Sequence, residues 1–155
     1  MRHEETIMIA NKTVDILLVE DDPDDAELTL SALKQHNIAG KVVHVMDGDQ
    51  ALDFIFSTSL YGNWEAESAP KVILLDLGLS KVGGMEVLRE LKNEERTRTI
   101  PVVVMTSTKD EVKIVESYKL GVNSFVVKPK DVKEYKQVVG DIGKYWLTIN
   151  QAPHH

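Results

Sequence analysis

The sequence predicts an α/β fold in which a five-stranded, doubly wound parallel sheet carries helices on both faces. Apolar runs typical of strands alternate five times with helical patterns along the 155 residues. The runs at 15–19, 71–75 and 100–105 are almost continuously apolar, as strands that are buried on both faces require. Five such β/α units favour the flavodoxin-like strand order 2-1-3-4-5, in which the first and third strands are neighbours.

Local signals define the first half of the chain. Asp22 is expected to cap a helix that has Pro23 at its first position. The second strand is predicted at 41–46, and a turn at 47–48 leads into the second helix. Residues 57–70 include Gly, Pro, Asn and Ser and are predicted to form a loop longer than most connections. The third strand is therefore expected to begin directly after this loop.

Glycine and aspartate mark the ends of the later helices. The third helix is predicted over 84–93 and the fourth over 109–120, where Gly121 suits a left-handed C-terminal cap. Asp131 is expected to cap a last helix that continues to Ile149. The fifth strand is then the short apolar run that lies between the last two helices.

Composition excludes several classes of function. With 18 basic and 25 acidic residues the net charge is -7, which argues against nonspecific binding to nucleic acid or to an anionic membrane. A chain without cysteine forms no disulfide and no thioether-linked chromophore. No apolar run approaches membrane-spanning length, so a cytoplasmic location is expected. We predict one domain over 14–150, with tails at 1–13 and 151–155.

Polar residues follow four of the predicted strands. Glu20 and Asp21 follow the first, Asp76 the third, Thr106 the fourth and Lys128 the fifth. The carboxyl ends of parallel strands meet at one edge of the sheet, so these side chains are expected to lie together. Carboxylates about 4 Å apart repel by roughly 4 kcal/mol at an effective dielectric of 20. The cluster therefore calls for a divalent cation, and we expect a site that handles a phosphoryl group on an aspartate.

Three further acids precede or begin the first helix. Asp22, Asp24 and Asp25 are expected to act only as cap and first-turn acids, because helix N-termini favour negative charge. They are left out of the predicted site.

The four motifs, in this order and spacing, resemble the receiver domain of two-component response regulators over residues 14–145. The resemblance implies that Asp76 is the phosphoacceptor. It also implies a Mg²⁺ ion held by Glu20, Asp21 and Asp76 together with the main-chain carbonyl of Gly78. The segment after Asp76 departs from the usual pattern, since it lacks a proline and has Gly83 where receivers commonly carry an acid.

The same resemblance assigns the remaining site residues. Thr106 would bind a phosphoryl oxygen, Phe125 would be the aromatic switch residue, and Lys128 would reach the phosphate. Taken alone, Phe125 fits a core position equally well. We expect the Lys128–Pro129 peptide bond to be cis, since proline permits that isomer.

The whole chain is most similar to the single-domain regulators that pair with bacterial phytochromes. This implies a phosphoacceptor signalling protein rather than an enzyme, supplied by a sensor histidine kinase that we expect to be of the phytochrome type. Its output would be docking to a downstream protein or onward phosphotransfer.

Single residues argue against two other classes of protein. A Mg²⁺-dependent phosphohydrolase of the haloacid-dehalogenase type requires an acid two residues after the nucleophile, where this chain has Gly78. A flavodoxin needs phosphate donors in the first loop, where Glu20 and Asp21 would repel the phosphate. A pseudo-receiver, which binds partners without phosphorylation, stays open.

The helical patterns also predict self-association. In the fourth helix Val112 and Val115 are expected to face the core, and the last helix carries an apolar stripe that reaches beyond the domain. We predict a two-fold homodimer through the fourth helix, the fifth strand and the last helix. Its interface would include Ile114, Tyr118, Val138, Tyr145 and Trp146. The alternative is that Trp146 folds back on its own domain.

Overall fold

The computed structural model describes residues 14–38, 40–56, 69–79 and 82–153. The loop predicted at 57–70 lies outside the described residues except for its last two positions, and the tail at 1–13 lies outside them as well. Within the described part of the chain, no helix is both long and apolar enough to cross a membrane.

A five-stranded parallel sheet forms the centre of the fold. Its strands are β1 (Ile16–Val19), β2 (Val42–Val45), β3 (Val72–Leu75), β4 (Val102–Thr106) and β5 (Ser124–Val127). They lie in the order β2-β1-β3-β4-β5, and every neighbouring pair is parallel. The predicted fold class and strand order are therefore confirmed.

Helices cover both faces of the sheet. They are α1 (Pro23–Gln35), α2 (Gly48–Phe56), α3 (Gly84–Asn93), α4 (Glu111–Leu120) and α5 (Val132–Lys144). Leu17 and Val19 belong to the core layer under α2 and α3, whereas Ile16 and Leu18 belong to the layer under α1 and α5. This alternation follows from the two-residue period of a strand, and it makes β1 apolar on both faces.

The predicted caps hold the helices at the carboxyl edge of the sheet. The Asp22 carboxylate accepts the main-chain N–H groups of Asp24 and Asp25 at 2.8 and 3.2 Å, directly before Pro23. The Asp131 carboxylate accepts the N–H of Glu134 at 3.0 Å. Both contacts satisfy N–H groups that the first turn of a helix leaves without a partner.

The inward face of α4 differs from the prediction. Val112 and Val115 are 65% and 48% exposed, while Ser117 is fully buried. The Ser117 hydroxyl donates to the main-chain oxygen of Lys113 at 2.8 Å, so this polar group is satisfied inside the fold. Because residues two and five positions before Ser117 lie on the opposite side of a helix, the two valines face outward.

The last helix changes form near its end. It is an α-helix to Lys144 and continues as a π-helix over Tyr145–Ile149. Trp146 is half-buried and packs against the core layer under α1 and α5, whereas Tyr145 and Ile149 are exposed. The alternative in which Trp146 folds back on its own domain is therefore the arrangement in this structure.

Close packing of α5 on α1 depends on a glycine. A Cβ added at Gly140 would lie 2.6 Å from the ring of His36, at the C-terminal end of α1. At Gly140 the two helices of this chain therefore approach each other closely.

Candidate functional site

Three carboxylates meet where β1 and β3 end. Glu20 follows β1 and Asp76 follows β3, and the main-chain N–H of Asp76 donates to the oxygen of Val19 at 3.1 Å. Glu20 and Asp76 are only 3% and 8% exposed, and Asp21 is half-buried. Each of the three acids offers an oxygen within 4.8 Å of the others. The structure therefore brings together the acids that the strand ends predicted.

Lys128 lies at the centre of this acidic cluster. Its Nζ donates to Glu20 Oε1 at 2.8 Å, to Asp25 Oδ2 at 2.7 Å and to Asp76 Oδ2 at 3.0 Å. The lysine side chain is 7% exposed, so protein atoms replace most of its water. An ammonium group has three N–H donors, and three carboxylates occupy them here.

These contacts change the acidity of the cluster. Burial alone would lower the pKa of Lys128, but hydrogen bonds to Asp25 and Glu20 outweigh it and raise the pKa. Burial raises the pKa of Glu20 to about 7, with a contribution from the Asp76 charge and an opposing one from Lys128. Burial would also raise the pKa of Asp76, yet the Gly78 N–H and Lys128 together lower it. The carboxylate of Asp76 therefore favours its ionised form.

Gly78 and Gly84 shape the loop that holds Asp76. The Gly78 N–H donates to Asp76 Oδ1 at 3.0 Å and fixes the orientation of the carboxylate. A Cβ added at Gly84 would lie 2.4 Å from the Asp76 main-chain oxygen and 2.6 Å from Leu77 Cα. Only glycine lets the start of α3 approach this backbone so closely.

Thr106 and Phe125 occupy the neighbouring strands. Thr106 is buried at the end of β4, and its main-chain oxygen accepts the N–H of Lys128 at 2.7 Å. Phe125 is half-buried in β5 and packs against the core layer under α2 and α3. The strand pairing sets Thr106 opposite Val127 at the carboxyl end of β4, and it sets Phe125 opposite Val104, two residues before that end. The roles of Thr106 and Phe125 in phosphoryl binding and switching stay predictions.

The prediction of a cis bond before Pro129 is wrong. No peptide bond among the described residues is cis, so Lys128–Pro129 is trans. Trans is the favoured isomer of an X–Pro bond by about 0.5–1 kcal/mol. Lys128 reaches all three carboxylates with this isomer, so its ion pairs do not require the other one.

Asp25 is the site residue that sequence reasoning missed. It is expected only to favour the start of α1, yet its carboxylate makes the shortest of the three contacts to Lys128. In the sequence it is indistinguishable from Asp24, which lies exposed on the same helical turn. Only the rotation of α1 about its axis decides which of the two acids reaches the lysine.

Comparison with known proteins gives the family. The profile of the response regulator receiver domain matches residues 16–140. The chain is 38% identical over 138 residues to the probable methanogenesis regulatory protein FilR2 of Methanothrix harundinacea. The aligned region covers 89% of this chain and 86% of that protein. It is 37% identical over 138 residues to response regulator Rcp1 of a Synechocystis species, which covers 89% of this chain and 92% of that protein.

Two solved structures agree with this relationship. The phosphorylated cyanobacterial phytochrome response regulator RcpA is 35% identical with a TM-score of 0.83, covering 92% of this chain and 99% of its own. The Mn²⁺-bound form of Rcp1 is 35% identical with a TM-score of 0.82, and the match covers 91% of this chain and 99% of the Rcp1 chain.

The fold and its acidic edge define a receiver domain, a module of signal transduction. The chain belongs to the response regulator receiver domain family and is related to the phytochrome response regulators Rcp1 and RcpA. The donor set of Glu20, Asp21 and Asp76 suits a hard divalent cation, which prefers carboxylate oxygens. The relative Rcp1 has been solved in a Mn²⁺-bound form, which agrees with a divalent cation at this acidic cluster.

Proposed function

We propose that this protein accepts a phosphoryl group on Asp76 from the phosphohistidine of a sensor kinase. The observation that carries the proposal is the setting of the Asp76 carboxylate. One oxygen is held by the Gly78 N–H and the other by Lys128, beside two further acids. This arrangement keeps the nucleophile ionised and directs positive charge toward the place where a phosphoryl group would arrive.

In the proposed transfer, an Asp76 carboxylate oxygen forms a bond to phosphorus while the phosphorus–nitrogen bond of the donor breaks. The bonding electron pair stays with the imidazole nitrogen of the donor. Lys128 and the Thr106 hydroxyl would bind oxygens of the transferring group. Protein groups act in such transfers mainly through position and electrostatics.

We propose Mg²⁺ as the cation, held by Glu20, Asp21 and Asp76 with the carbonyl of Gly78. When bound, it would neutralise the acids and the charge on the phosphoryl oxygens. Rotation of Thr106 and Phe125 toward the new group would then report phosphorylation to a partner.

The kinase is proposed to be of the phytochrome type, with Rcp1 and RcpA as the supporting relatives. FilR2 is named for a different process, so the stimulus needs its own test. We expect immobilised protein to retain a phytochrome kinase from the extract of its own cells. Recovery only of kinases without a chromophore would contradict this pairing.

The proposal extends to the cellular setting and to the bounds of the domain. A kinase that takes phosphate from ATP must meet its acceptor where ATP is, which supports the cytoplasm. Residues 14–150 would form the receiver domain, with 1–13 and 151–155 as tails. Its output would be contact with a downstream protein or a second phosphotransfer.

Intact-mass measurement tests the central claim. The protein is incubated with Mg²⁺ and acetyl phosphate, and we expect a mass gain of one phosphoryl group. Asp76→Asn should abolish the gain, whereas Asp24→Asn, a matched change at an exposed acid, should keep it. A gain that persists in Asp76→Asn would refute the acceptor. No gain in the wild-type protein would favour the pseudo-receiver.

A further inference from the structure

We propose that Asp25 is a positioning residue that competes with the phosphoryl group for Lys128 and so lowers the stability of the phosphorylated state. This builds on the proposed function, since it requires Asp76 to be the acceptor. The starting observation is that three carboxylates occupy the three donors of one buried ammonium group. A phosphoryl oxygen can bind Lys128 only by displacing or sharing one of these contacts.

The three carboxylates are not equivalent. Glu20 and Asp76 belong to the cluster that suits a divalent cation, and Asp25 does not. A cation at that cluster would neutralise Glu20 and Asp76 and weaken their hold on the ammonium group. Asp25 would keep its full charge and its 2.7 Å contact with Lys128. It is therefore the competitor that persists when the phosphoryl group arrives.

The backbone of Asp25 is held in place by two other side chains. The Thr29 hydroxyl donates to the Asp25 main-chain oxygen at 2.9 Å, and the Tyr135 hydroxyl donates to the same oxygen at 3.4 Å. The two hydroxyls also lie 3.0 Å apart, in a buried contact between α1 and α5. These bonds restrict movement of the first turn of α1, so the carboxylate stays beside Lys128.

The negative charge of Asp25 also disfavours the phosphorylated state, as its contact with Lys128 does. Asp25 Oδ2 and Asp76 Oδ2 bind the same Lys128 nitrogen, at 2.7 and 3.0 Å. Phosphorylation adds negative charge on the Asp76 side of that nitrogen. Like charges this close to one buried ammonium group disfavour one another.

The test measures the affinity of the Mg²⁺-loaded protein for beryllofluoride, an anionic mimic of the phosphoryl group, by NMR titration. For Asp25→Asn we expect binding about tenfold tighter than in the wild-type protein, in line with the removal of one nearby charge. We also expect slower loss of phosphate after acetyl phosphate is removed. The Asp25 side chain is 28% exposed beside an open cavity of about 280 Å³, so water can satisfy the asparagine.

Asp24→Asn is the matched control, because it removes the same charge from the same turn. Within the described part of the chain, its carboxylate makes no contact with Lys128. The Asp24→Asn variant should bind beryllofluoride with the affinity of the wild-type protein. Asp25→Glu keeps the charge, so its affinity should also stay close to that of the wild-type protein. If Asp25→Asn does not fold, Asp25→Ser takes its place in the test, because it removes the same charge.

The outcomes separate the two proposals. Unchanged or weaker binding in Asp25→Asn would overturn the competition, and so would an equal gain in Asp24→Asn. If the wild-type protein takes up neither beryllofluoride nor phosphate, the proposed function itself fails.

Discussion

Lys128 Nζ lies 3.0 Å from Asp76 Oδ2, although the strands that carry these residues are not neighbours in the sheet. The strand between them is β4, whose last residue, Thr106, accepts the main-chain N–H of Lys128 at 2.7 Å. The lysine backbone is therefore fixed to β4, and its long side chain crosses to β3. This contact links the outer strand β5 to the centre of the site.

Replacing Lys128 with alanine should destabilise the metal-free protein. Its loss leaves three carboxylates without their shared counter-ion, and breaking a buried ion pair in this way costs roughly 3–5 kcal/mol. We expect urea denaturation to show a decrease of about 2–4 kcal/mol in the free energy of unfolding, partly recovered with Mg²⁺. Lys133→Ala, at an exposed position of α5, is the control. Equal stability of the two variants would contradict the prediction.

Stability of the metal-free protein should fall as the pH rises toward neutrality. The pKa of Glu20 is about 7 in the folded protein and 4.5 without the fold, so the native state holds this proton more tightly. The contribution of this proton to the free energy of unfolding is complete below pH 4.5 and is lost as the pH rises through 7. The full contribution is on the order of 3 kcal/mol.

Denaturation in urea across this pH range measures the effect. Glu20→Gln should remove this slope, while Glu27→Gln, at an exposed acid, should retain it. Mg²⁺ should bind more tightly above pH 7, because Glu20 must lose its proton to act as a ligand. A wild-type slope that Glu20→Gln leaves unchanged would contradict the assignment.

Gly84→Ala should disturb the loop that carries Asp76. The new Cβ would meet main-chain atoms at 2.4 and 2.6 Å, and backbone cannot move aside as a side-chain end can. We expect a loss of about 1–3 kcal/mol in the free energy of unfolding and slower phosphorylation. The adjacent Gly83→Ala is the comparison, since its Cβ meets nothing within 4 Å. Similar losses in both variants would show that helix packing at Gly84 is not the cause.

Self-association stays a prediction, and the exposed apolar residues define where to test it. Tyr118 and Tyr145 are exposed on α4 and at the start of the π-helix, while Ile114 and Val138 are half-buried. We expect sedimentation at micromolar concentration to give a dimer mass without phosphate.

Matched variants locate the dimer interface. Tyr118→Ser and Tyr145→Ser should shift the protein toward monomer, whereas Met46→Ser, at an exposed residue after β2, should not. Clean monomer mass for the wild-type protein would end the proposal. In that case the outward valines of α4 would be surface residues without a partner copy.

The sequence by itself determined the sheet and the location of its acidic edge. Continuous apolar runs indicate strands buried on both faces, and polar residues at the ends of such runs must meet where parallel strands end. Glu20, Asp76 and Lys128 are therefore predictable from the sequence alone. These signals are local, because they depend only on the order and period of residues within one element.

Tertiary structure decided how each helix is rotated and what it touches. It made Asp25, and not Asp24, the third partner of Lys128, and it buried Ser117 while Val112 faces outward. It also packed Trp146 against its own core. The reason is that a helical pattern tells which residues share a face, whereas the face that packs inward is selected by the surfaces of neighbouring elements.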